Sequence, residues 1–140
     1  MPEEESEYSP WGFEFKRMAL ICDSLAELSI IVRNKSTGQD YDKALTRFVN
    51  MLEELYDWIR PLVYEKIRKK IERKFKLVKI NLKNYLINRS VNKEFVISDE
   101  FLEQIFELKR MLLDLRQKLG LALKVKEKLT DEEKISRLFE

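Results

Sequence analysis

The sequence predicts an all-α protein: a bundle-like domain of four long helices followed by a short C-terminal helix. Three observations predict it. Apolar residues return at steps of three and four in four separate stretches, the period of a helix with one buried side. Three glycines and three prolines in 140 residues are too few to turn the many short strands of a sandwich or barrel. A hydrophobic content of 44% in a chain of this length supplies one core, hence one domain.

Residues 1–8 read as a short acidic arm. Glu3, Glu4, Glu5 and Glu7 bring nothing that would offset the entropy of ordering, so the arm is expected to be disordered and residues 9–140 to form the domain. Ser9 suits an N-cap and Pro10 the first helical position, where its missing N–H costs nothing. Trp11, Phe15, Met18, Cys22, Leu25 and Val32 then keep helical period to about Arg33, with Ser29 the polar exception in the stripe. Asn34 to Gln39 is a loop by composition, with Gly38 free to take a positive φ and Thr37 or Asp40 available as the next cap. The second helix carries Tyr41, Leu45, Phe48, Leu52, Leu55 and Ile59 without a miss.

Pro61 cannot donate to a helical ladder and disfavours helical geometry at Arg60, yet no turn residues surround it. A kink or corner is expected there instead of a clean hairpin. From Pro61 to about Arg89 the stripe is Tyr64, Ile67, Ile71, Phe75, Val78, Leu82 and Tyr85; Asn81, Asn84 and Asn88 weaken helix propensity in its second half. Residues 91–97 read as an extended connector. Ser98 can cap the fourth helix, with Asp99 and Glu100 at its positive end and Phe101, Ile105, Leu108, Leu112, Leu115 and Leu119 as its stripe. Gly120 stands where a helix-ending glycine would. Beyond it, Leu121, Leu123 and Val125 alternate, which suggests a minor two-stranded pairing of 94–97 with 121–125. Thr130 and Glu133 make a capping box for a terminal helix with Ile135, Leu138 and Phe139.

Composition removes most catalytic classes. Without histidine the chain lacks the commonest general base and metal ligand, and a ferritin-like di-iron site as well. One cysteine, Cys22, permits no intrachain disulfide, CxxC motif or ordinary structural zinc site. It lies on an apolar stripe, where a thiol is packing material. No glycine loop suited to phosphates and no nucleophile elbow is present. Glu54 and Asp57 are spaced three apart, and Glu100, Glu103 and Glu107 share one side of the fourth helix; they are the only material for a carboxylate–metal hydrolase. Their ordinary role is as solvated acids near helix starts. No catalytic residue, metal ligand or cofactor is assigned.

The N-terminus is acidic where a secretory signal is basic and then apolar. The longest apolar candidate, Met18 to Val32, is interrupted by Asp23, Ser24, Glu27 and Ser29, so no membrane span is expected and the location is read as cytoplasmic. Abundant Lys, Glu and Ile with three Gln resembles thermophile composition.

Net charge is +2, but it is unevenly spread: −5 over residues 1–32, 0 over 33–60, +8 over 61–91 and −1 over 92–140. Lys66, Lys69, Arg73, Lys76 and Lys83 step by three, four, three and seven, which puts them on one side of the third helix, opposite Ile71 and Phe75. Lys70, Lys74 and Lys79 flank the row. At 1.5 Å per residue it extends about 25 Å, enough to follow several phosphates. The leading expectation is a non-enzymatic nucleic-acid-binding or architectural protein, for DNA or RNA, without strong sequence preference. The same pattern suits an anionic membrane surface, and acids elsewhere in the fold could neutralise it. A helical scaffold for protein partners is the alternative, and the hydrolase a third reading. Leu77, Ile80 and Ile87 put apolar residues on further sides of this helix, which fits a homodimer formed through it.

Overall fold

The structure, a computed structural model, describes the backbone over residues 10–138 and side chains over 16–120. The acidic arm expected over 1–8 and the Ser9 cap lie outside the described residues. Four helices account for nearly all of the rest: α1 (Pro10–Arg33), α2 (Gln39–Ile59), α3 (Glu65–Val91) and α4 (Asp99–Leu138).

Side-chain pairs give their directions. Arg17 meets Glu54, while Tyr41 near the start of α2 donates its hydroxyl proton to the Val32 carbonyl at the end of α1. Tyr56 meets Glu72, and Asp42 meets Arg89. Lys74 meets Glu107, and Asn81 meets Gln104. Ser29 meets Lys109, while Arg33 lies over the Phe106 ring. Along each pair of neighbours one number rises as the other falls, so the helices run up, down, up, down in a closed ring.

The stripes predicted for α2 and α4 form the centre. Leu45, Phe48, Leu52, Leu55 and Ile59 of α2 are buried to within 1% or less of full enclosure, as are Ile105, Leu108 and Leu112 of α4. Phe48 and Phe106 pack with ring centroids 5.6 Å apart and tilted by 54°, a favourable aromatic arrangement. Met18, Leu25 and Val32 close the core from α1, and Ile71, Phe75, Val78, Leu82 and Tyr85 close it from α3. Ser29 is tolerated among them because its hydroxyl donates to the Leu25 carbonyl at 2.6 Å and accepts from Lys109 Nζ at 2.8 Å. Both bonds remove the penalty of burying a polar group.

The connections depart from the sequence reading in instructive ways. Neither Thr37 nor Asp40 caps α2: the N-cap is Gly38, at φ 131°, with no side-chain cap bond, and its carbonyl accepts the Asp42 N–H at 3.2 Å. Pro61 does make a corner, as one turn of 3-10 helix (Arg60–Leu62) followed by extended Val63 and Tyr64. That corner sends α3 back along α2, so the up-down order survives it. It also delays the helix: α3 starts at Glu65, not at Pro61, and Tyr64 is 84% exposed instead of joining the stripe. Ser98 caps α4 as expected, its Oγ accepting the Phe101 N–H at 3.2 Å.

The largest correction concerns the C-terminal part. The backbone over 121–125 is helical and no strand occurs among the described residues, so the pairing of 94–97 with 121–125 is not formed. The short terminal helix is likewise not separate, because α4 continues through Gly120 and Thr130. Leu121, Ala122, Leu123 and Lys124 favour helix, and a helix already nucleated and capped extends through one glycine at a cost of about 1 kcal/mol.

Candidate functional site

The fold turns the predicted basic row outward. Lys66, Lys69, Arg73, Lys76 and Lys83 are all exposed, because the opposite side of α3, from Ile71 through Tyr85, is taken by α2 and α4. Acids of the neighbouring helices take lysines on the flanks instead. Glu53 of α2 pairs with Lys79 at 2.5 Å, and Glu107 of α4 pairs with Lys74 at 2.8 Å. Lys74 also holds the Glu107 carboxyl below its ordinary pKa, chiefly by the hydrogen bond between them. Within the row, Lys69 pairs with Glu65 one turn earlier at 3.3 Å, an exposed contact of small worth. Arg73 Nε donates to the Lys69 carbonyl at 3.3 Å. Among the described residues, Lys66, Arg73, Lys76 and Lys83 have no acid within ion-pair distance.

Beyond Lys76 the same outer side becomes apolar. Leu77, Ile80 and Ile87 are each about half exposed, and Val91 is 85% exposed. Between α2 and α3, next to Ile87 and Leu86, lies an open groove of about 580 Å³ with Val49, Asn50 and Leu82 in its walls.

The other side of α3's second half bears a feature the sequence reading missed. Asn81, Asn84 and Asn88 line a cleft of about 390 Å³ against the start of α4, facing Glu100 and Gln104, with Phe95 and Phe101 among its apolar walls. The signal was in the spacing. Three asparagines at i, i+3 and i+7 share one helix side, and reading them only as poor helix formers hid that.

An Arg89-centred cluster was also missed. Arg89 is 7% exposed; its Nε faces Asp42 at 3.3 Å, and Nη1 donates to the carbonyls of Lys93 and Phe95. Asp42 also accepts the Tyr85 hydroxyl proton at 2.7 Å. These bonds tie the start of α2 to the end of α3 and to the connector before α4. Their reach is structural. No periodicity marks them, since Asp42 and Arg89 belong to different helices.

The acids singled out for metal chemistry do not converge. Glu54 is held by Arg17 at 2.5 Å on the α1 side of the bundle, Asp57 is exposed, and Glu107 is engaged by Lys74 next to α3. Among the described residues no three Asp, Glu, His or Cys side chains come together to hold a metal ion. Cys22 is half-buried between α1 and α4, and burial pushes its thiol pKa up, which keeps it in the less nucleophilic form. No helix among the described residues is long and apolar enough to cross a membrane. Comparison with protein-family models, curated proteins and solved structures finds no match, and the functional reading rests on these residues alone.

Proposed function

We propose that the protein binds nucleic acid along the outer side of α3, with Lys66, Lys69, Arg73, Lys76 and Lys83 contacting phosphates. One observation carries the reading. Four of these five cations lack an acidic partner among the described residues, whereas two of the three flanking lysines, Lys74 and Lys79, have one and Lys70 has none. A solvated helix face normally mixes both signs to gain local pairs. Here the cations that the fold can use are paired, and the remainder form an open row about 25 Å long. Phosphate contacts of this kind position a nucleic acid without reading its sequence. Fluorescence anisotropy with DNA and RNA across a salt series tests it. If all five engage duplex DNA, log K falls against log salt with a slope of about −4 to −5. No binding at low salt ends the proposal.

A second reading, contact with a protein partner or a second copy of this chain, is favoured by the exposed Leu77, Ile80, Ile87 and Val91. Ile87 also lines, with Val49, Leu82 and Leu86, a groove that gives a partner side chain a place to sit. Sedimentation equilibrium decides the homodimer: a monomer at every concentration removes it.

A further inference from the structure

We infer that the cleft between α3 and α4 is a nucleobase pocket, which makes the ligand of the basic row a single strand with an unpaired base. The inference rests on the polyanion reading of the row and adds to it which kind of nucleic acid is bound. Size comes first. The cleft holds about 390 Å³, within the range of small-ligand sites and ample for one planar ring.

Its chemistry is that of base edges. Carboxamides carry a donor and an acceptor side by side, the arrangement that matches the Watson–Crick or Hoogsteen edge of a base. Asn81 Nδ2 donates to Gln104 Oε1 at 2.7 Å, which orients both amides and leaves Asn81 an acceptor and Gln104 its two donors. The side-chain amides of Asn84 and Asn88 make no hydrogen bond to another described residue. Phe95, the one partly buried ring of the cleft, supplies the stacking surface, and it is backed by the buried Tyr85 ring at 5.9 Å.

Charge then separates the two parts of a nucleotide. No lysine or arginine lines the cleft, and its one ionisable carboxyl is Glu100. A phosphate is repelled there, while the amino group of adenine, cytosine or guanine is a fitting donor to that carboxylate. The phosphates belong on the row, part of which shares a side of α3 with the cleft: Arg73, Leu77 and Asn84 stand four and then seven residues apart, and Leu77 and Asn84 line the cleft. A duplex has no free base to insert, and a single strand does.

The test compares a single-stranded oligonucleotide of about 12 nucleotides with an abasic strand of equal length, by anisotropy at one salt concentration and then across a salt series. The intact protein should bind the base-bearing strand roughly tenfold tighter, as stacking of one base gives. The variant Asn84→Ala/Asn88→Ala should abolish that ratio while keeping affinity for the abasic strand and the salt slope. Lys66→Glu/Arg73→Glu should weaken both strands alike. Equal affinity of the intact protein for the two strands overturns the pocket and leaves the row standing, as does a double alanine variant that weakens both equally. If neither strand binds, the row reading fails, and adenosine titrated against the side-chain amide resonances of Asn84 and Asn88 decides the pocket alone. Shifted resonances support it, and unmoved ones overturn it.

Discussion

Arg89 and Arg73 stand about four turns apart on the same helix and serve opposite ends. Arg89 is buried, faces Asp42 and donates to two backbone carbonyls; Arg73 is exposed and bonds only to a carbonyl of its own helix. The same side chain is a joint of the fold in one place and surplus to it in the other. What separates them is which side of α3 they occupy. On the inner side, α2 and α4 present Asp42, Glu53 and Glu107, and cations there are matched by acids. On the outer side no helix lies opposite. The +8 of this segment therefore divides into charge that holds the bundle together and charge left for another molecule.

Breaking the inner member should have the largest effect. Asp42→Ala strands the Arg89 guanidinium in a place 7% exposed and takes the acceptor from Tyr85. Removing one partner of a fully buried pair costs about 3–5 kcal/mol. With the Asp42 side chain 22% exposed, the loss here should fall to about 2–3 kcal/mol, because a buried cation loses its counter-charge. Denaturant unfolding should show that loss, and Asp42→Ala/Arg89→Met should recover part of it. Arg73→Ala, at the outer side, should stay within about 0.5 kcal/mol of the parent. Equal losses at the two sites would erase the distinction.

Alkali should act on the inner side next. Burial, the first cause in each case, pushes the Tyr41 and Tyr56 hydroxyls up to about 12, and Tyr85 higher still. Tyr41 donates to the Val32 carbonyl and Tyr56 to Glu72, so ionisation breaks an interhelical bond in both. A tyrosine with a raised pKa lends stability that is whole below its unfolded value near 10 and fades as pH climbs through the folded one. Stability should therefore decline between about pH 10 and 12, and Tyr56→Phe should decline less steeply there.

How far the sequence showed this division is itself uneven. The stripes of α2 and α4 were legible because burial against one partner side imposes a strict period, and Tyr41 through Ile59 obey it at every step. Ser98 was legible as a cap because its effect reaches only three residues. Gly120 and Thr130 were misread for the same local reason: a stop signal competes with propagation, and the flanking Leu, Ala, Lys and Glu residues win. The row was visible, but whether acids cover it depends on which helix faces which, and that is a tertiary fact. Asp42 and Arg89 are 47 residues apart, beyond the reach of any helical period.

Gly38 and Gly120 give a smaller pair of opposite effects. Gly38 sits at φ 131°, where an added Cβ meets no atom but the backbone itself resists, so Gly38→Ala should destabilise by about 1 kcal/mol or more. Gly120 lies inside α4 with open space at its Cβ position, so Gly120→Ala should raise helix stability by about 0.5–1 kcal/mol, read by thermal unfolding and amide exchange.

The smallest change in stability should carry the most information about binding. Alanine at Lys66, Arg73 or Lys76 removes no ion pair among the described residues, so each variant should unfold with the parent within about 0.5 kcal/mol. Each should nevertheless make the salt slope for duplex DNA shallower by about 1, since one phosphate contact releases about one counterion. Lys79→Ala is the matched control. It frees Glu53 from a pair at 2.5 Å and removes a cation that the fold already uses, so stability should drop slightly while the slope holds. If Lys79→Ala and Lys76→Ala change the slope equally, position on α3 does not sort the charge, and the inner and outer sides are one electrostatic surface.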